Sequence, residues 1–100
     1  MPVYIVIEST TKDAEAYRKY IERVPPIIAK YGGRYLVRGG EITPGAGDWT
    51  PERIIVLEFP SKEHITRCFS SPEYNEIAPL HDAGAEYRSV IVEGYAPDAV

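Results

Sequence analysis

The sequence predicts an α+β fold, a four-stranded antiparallel sheet built in the order β-α-β-β-α-β within one domain. Three observations carry this. Four runs rich in β-branched and aromatic residues, Val3–Glu8, Arg34–Ile42, Arg53–Phe59 and Tyr87–Tyr95, are bounded by Gly, Pro or Ser clusters. Between the first two and the last two lie apolar residues at helical spacing, whereas the second and third runs flank a Gly/Pro-rich loop, as in a hairpin with a long connection. A chain of 100 residues that is 44% hydrophobic and 26% charged has the size and composition of one ordinary globular domain.

Each element follows in order. Val3–Glu8 is strand one, and Ser9-Thr10-Thr11 breaks it. Asp13 is placed to cap a helix, with Glu15 in the first turn helping at the positive end of the dipole. Tyr17, Tyr20, Ile21, Val24, Ile28 and Tyr31 then form one inward stripe. Pro25-Pro26 predicts a kink or a restart near Val24, because proline removes a donor and crowds the preceding turn. Gly32-Gly33 ends the helix. Strand two, Arg34–Ile42, holds Gly39-Gly40 inside it, where a bulge is expected. Thr43–Pro51 is the loop and Arg53–Phe59 strand three. Ser61 caps a helix whose inner face is Ile65, Cys68 and Phe69. Ser71-Pro72 opens a short helical turn carrying Tyr74, Ile77 and Leu80, limited by Pro79 and ended by Gly84. Tyr87–Tyr95 is strand four. The domain core is 3–95, with 96–100 a frayed tail.

The order is that of the split βαβ, or ferredoxin-like, pattern. Two helices on one sheet face should leave alternating apolar and polar residues, with water on the other face. These strands do not alternate. Val3, Ile5 and Ile7 oppose Tyr4 and Val6, Ile55 and Leu57 oppose Ile54 and Val56, and Ile91 opposes Val90 and Val92. Leaving such a face wet forgoes several kcal/mol at about 25 cal/mol per Å². A second copy is the simplest cover, so a homodimer joined through sheet faces is expected.

Composition narrows the function classes. A formal net charge of -4 and a pI near 5.1 argue against a nucleic-acid or anionic-membrane partner. No apolar run approaches the roughly 18 residues of a membrane span. One cysteine, Cys68, forms no internal disulfide, and no signal-peptide pattern follows Met1-Pro2. A cytoplasmic protein is expected. None of the glycine pairs matches a phosphate or dinucleotide loop, no serine sits in a nucleophile elbow, and no cofactor is expected.

The segments VPPIIAKYGGRYLVRGGEI, GDWTPERIIVLEFPS and SSPEYNEI closely resemble the small family catalogued as domain of unknown function 1330, over Val3 to Gly94. The resemblance implies the dimeric α/β-barrel fold, in which two ferredoxin-like protomers join sheets. Relatives in that superfamily include cofactor-free monooxygenases, muconolactone isomerase-like enzymes and stress-response proteins, which use a pocket between sheet and helices. The family itself lends fold and assembly rather than a reaction.

Candidate chemistry falls into three groups. Arg38 and Glu58 would face each other in a regular hairpin, where a guanidinium beside a carboxylate binds an acidic substrate or holds a base. A structural ion pair is the plainer alternative. His64, four residues before Cys68, and His81, beside Asp82, are the histidine candidates for acid–base work. Two histidines and one cysteine fall short of a zinc set, so no metal is expected. A solvated helix end explains His81-Asp82 more simply. Tyr17, Tyr20 and Tyr74 take core-facing positions from which hydroxyls can meet a polar ligand, and Trp49 anchors the dimer or lids the pocket. The expected function is binding of a small polar or acidic organic ligand between helix one and the sheet, through Tyr17, Tyr20, Arg38, Trp49, Glu58 and Tyr74. The alternatives are a cofactor-free enzyme using Glu58, His64 or His81, and a purely structural dimer.

Overall fold

A computed structural model describes residues 1–95. The chain folds as β1 (Val3–Thr11), α1 (Ala14–Lys30), β2 (Arg34–Arg38), β3 (Arg53–Phe59), α2 (Lys62–Phe69), α3 (Pro72–Gly84) and β4 (Ala85–Glu93). The strands form one antiparallel sheet in the order β2-β3-β1-β4, the ferredoxin-like arrangement. The tail 96–100 lies outside the described residues.

Caps set the helix starts. Asp13 Oδ1 accepts from the backbone N–H of Glu15 and Ala16 at 3.1 and 3.2 Å, and Ser61 and Ser71 accept from His64 N and Tyr74 N. Gly32, at φ +87°, turns the chain out of α1. The helix runs unbroken through Pro25-Pro26, and no restart occurs. Pro25 cannot donate to the carbonyl of Ile21, and Arg38 Nη2 donates to that oxygen instead, at 2.5 Å. Pro79 is likewise carried inside α3, which spans 13 residues rather than a short turn. Position 79 is exposed, so water can replace the lost bond.

Val3 and Ile5 of β1 and Ile55, Leu57 and Phe59 of β3 point to the helices. There they meet Tyr17, Tyr20, Val24 and Ile28 of α1, Ile65 and Cys68 of α2, and Ile77 of α3. Phe59 and Cys68 have no exposed surface. The opposite face carries Tyr4, Val6, Ile54, Val56, Val90 and Val92, and among the described residues no helix covers it. Val90 is 62% exposed and Val92 50%.

Strand two departs from expectation. It stops at Arg38, and its bulge lies at Leu36, between the Tyr35↔Leu57 and Val37↔Val56 pairs, not at Gly39-Gly40. The extra residue reverses which side later residues face. Before the bulge the register sets Arg34 opposite Glu58; after it Arg38 stands opposite Ile55 and turns to the helix side. The expected Arg38–Glu58 pair does not form. β4 also begins two residues earlier than its apolar run, because Ala85 and Glu86 pair with Thr11 and Thr10.

Candidate functional site

Helix spacing brings the aromatic side chains together. Tyr17 and Tyr20 sit on the buried stripe of α1, and Tyr74 and His81 lie two turns apart on one side of α3. The Tyr20 and Tyr74 hydroxyls are 2.9 Å apart, and the Tyr74 hydroxyl is 3.5 Å from His81 Nδ1. The His81 ring is sandwiched between Tyr20, at 4.3 Å, and Tyr87 of β4, at 3.9 Å, with both planes within 13° of its own. Only 5% of His81 is exposed, so the solvated helix end expected there is overturned: α3 packs its last turn under β4.

Burial sets the protonation states. It pushes the His81 imidazole down to about 4, against the pull of the Asp82 carboxylate. It raises the Tyr20 phenol, with the neighbouring Tyr74 adding to the effect, and pushes Tyr74 up to about 12 although its bond to Tyr20 opposes this. The Tyr87 phenol is raised by burial and by donating to Asp82 Oδ1 at 3.1 Å. Cys68 is pushed up to about 11 by burial, so at neutral pH it is a thiol rather than a nucleophilic thiolate. The cluster at neutral pH is uncharged and offers hydrogen bonds.

A cleft of about 350 Å³ opens beside this cluster, between α2 and α3 on one side and β1 and β4 on the other. Ile5, Ile65, Phe69 and Ile91 form its apolar walls, and Tyr74, His81, Tyr87, Thr66 and Ser89 supply the polar groups. Its size is at the lower end of ligand pockets, roughly 300–1,000 Å³. The gap directly between α1 and the sheet holds only about 30 Å³, room for about one water. The two spaces share Tyr20, His81, Ile7 and Phe69.

The expected site residues separate into four places. Tyr20, Tyr74 and His81 border the cleft. Tyr17 and Arg38 line the narrow gap. Glu58 and Trp49 are on the opposite face, where Arg34 Nε donates to Glu58 at 2.8 Å and Trp49 Nε1 donates to Glu8 at 3.1 Å. The Arg34 guanidinium holds the Glu58 carboxyl below its usual range. His64 is elsewhere again, its Nδ1 2.7 Å from Ser61 Oγ at the start of α2. Among the described residues no three His, Cys, Asp or Glu side chains gather as a metal set, and no helix is long and apolar enough to cross a membrane. Tyr87 was missed by sequence reasoning. Only the Ser9↔Tyr87 register, which puts it on the helix side of the sheet, reveals its part in the stack.

Solved structures share this architecture at low identity. RPA0582, a Rhodopseudomonas palustris protein of unknown function, superposes with a TM-score of 0.78 at 19% identity, over 96% of this chain and 84% of that one. SnoaB, a cofactor-independent oxygenase from Streptomyces nogalater, gives 0.65 at 12% identity, covering 99% and 98% of the two chains. A dimeric ferredoxin-like protein of unknown function from Bacteroides fragilis gives 0.61 at 17%, covering 93% and 96%. A dabb family protein with a ferredoxin-like fold from Mesorhizobium loti gives 0.72 at 12%, covering 95% and 98%. No curated protein matches the chain. One family model spans residues 2–95, and the chain therefore belongs to the family described as Domain of unknown function (DUF1330).

Proposed function

We propose that this protein binds a small, uncharged, planar organic molecule in the cleft beside His81, and works as a cytoplasmic homodimer. The observation that carries the reading is the Tyr20–His81–Tyr87 stack, whose neutral ring edges and Tyr74 hydroxyl border a largely apolar cleft. Among the described residues no Lys, Arg, Asp or Glu lines that cleft. A charged ligand would lose its hydration there without a partner, so for this cleft a neutral phenol- or quinone-like ligand is favoured over an acidic one. Dimerisation is supported by the uncovered face bearing Val90 and Val92, and by the dimeric state of the B. fragilis neighbour.

Calorimetric titration with 2-naphthol, a neutral planar phenol, tests the binding. Saturable binding is expected, together with a rise in melting temperature of several degrees at saturating probe. Tyr74→Phe removes the hydroxyl and should weaken binding about tenfold. Absence of saturation in the wild type would overturn the reading.

A second reading is favoured by the same hydroxyl chain. Tyr20, Tyr74 and His81 form a proton path ending on a neutral imidazole, as a cofactor-free oxygenation or isomerisation would use. It requires turnover of a bound phenol that His81→Phe abolishes while binding persists.

A further inference from the structure

Away from the cleft, two arginines on the helix side of the sheet lack a counter-charge. The bulge at Leu36 turns Arg38 to that side opposite Ile55, and Arg53 lies on the same side opposite Ser9. In an antiparallel pair this makes them diagonal neighbours, within reach of one another's long side chains. The Arg53 guanidinium lies over Gly39, whose φ is +69°, so closely that a Cβ there would sit 2.7 Å from Cζ. Arg53 Cζ is 5.6 Å from the Tyr17 ring centroid and Arg38 Cζ 5.0 Å from that of Tyr35. Burial raises the Tyr35 phenol and both guanidiniums oppose it, so both act on one phenol.

Neither arginine is satisfied. Arg18, Arg23, Arg34 and Arg88 each pair with a carboxylate. Among the described residues no carboxylate lies within 4 Å of Arg38 or Arg53, in a chain with 15 acidic side chains. Arg38 donates only to the Ile21 carbonyl. The Arg53 Nε is shut away from solvent with no acceptor. Capping the carbonyl freed by Pro25 accounts for one bond of Arg38 and for nothing at Arg53. Arg38 is exposed and Arg53 half-buried; two neighbouring unneutralised cations repel, and an anion between them would remove that repulsion.

We propose that Arg38 and Arg53 form a site for the carboxylate of a small apolar organic acid, its body lying outside the narrow gap under α1, beside the half-buried Tyr35. Guanidinium forks match a planar carboxylate through paired hydrogen bonds. The residues behind them, Ile21, Ile55 and Leu57, are apolar, which favours a hydrocarbon body over a free inorganic anion. Its two arginines lie outside the lining of the His81 cleft, so Tyr74→Phe removes no group from this site.

The test is a titration of the isotopically labelled full chain with sodium benzoate, following the arginine Nε–H signals by NMR. Saturable shifts are expected at Arg38 and Arg53 and none at Arg67, with no response to benzamide, the uncharged match in shape. Arg53→Met should weaken benzoate binding about tenfold. Arg53→Lys retains the charge but not the fork and should weaken it as well, so loss of binding through misfolding of one variant does not decide the matter. Absence of saturable shifts in the wild type would overturn the site. Equal binding of inorganic phosphate, or wild-type affinity in Arg53→Lys, would overturn its assignment to a carboxylate.

Discussion

His81 is the residue whose surroundings say most. Its folded value of about 4 lies below the ordinary 6.5, because burial disfavours the charged ring. The unfolded chain therefore takes up the proton first. Stability from this group is complete above about pH 6.5 and is lost as pH falls toward 4, by up to about 3 kcal/mol. Asp82 opposes the shift and limits it. Urea denaturation of wild type and His81→Phe between pH 7 and 4 checks this: the wild type should lose more stability over that range than the variant. Parallel curves would mean that the ring charges freely in the folded state. Little of this could be read from residues 81 and 82 alone. A histidine near a helix end is ordinarily solvated, and only the packing of Tyr20 and Tyr87 on its two faces makes it a buried neutral group.

At the level of elements, the end of α3 packs directly on the start of α1. A Cβ on Gly84 would come 2.6 Å from the backbone nitrogen of Tyr17 and 2.7 Å from its Cα, where no side chain can move aside. The Gly84 carbonyl also accepts from Lys12 and Asp13, joining the end of α3 to the start of α1. Gly84→Ala should cost about 1–3 kcal/mol, whereas Gly45→Ala, with nothing within 4 Å, should be neutral. Equilibrium unfolding of the two variants makes the comparison, and equal stabilities would disprove the close approach. Gly84 was legible in the sequence as a helix stop, but the contact with α1 was not. The reverse holds for Pro25-Pro26, where local propensity pointed to a break and a distant arginine took up the freed carbonyl.

For the whole molecule, the proposed assembly rests on the sheet face without helices. Val90 is 62% exposed in the protomer, so Val90→Arg costs the protomer little packing. In a sheet-to-sheet dimer, however, it would bury an unpaired charge. Sedimentation velocity at micromolar concentration should show a dimer for wild type and a folded monomer for the variant. A monomeric wild type, or a variant that still dimerises, would remove this mode of assembly. Trp49 belongs to this scale as well. Its bond to Glu8 folds the long β2–β3 loop over one end of that face, and it therefore takes no part in the cleft on the helix side.

The amino-acid sequence by itself determined the order of elements, the caps at Asp13, Ser61 and Ser71, the stops at Gly32 and Gly84, and the apolar character of both sheet faces. These are signals written within a few residues or in a simple period, so short-range chemistry decides them. The tertiary structure alone decided which arginine meets Glu58, where the cleft opens, and which ring stacks on His81. The register of β2 sets Arg34 opposite Glu58, one extra residue at Leu36 turns Arg38 to the helix side, and a stack of rings from α1, α3 and β4 exists only once three elements have packed. No local pattern contains such information.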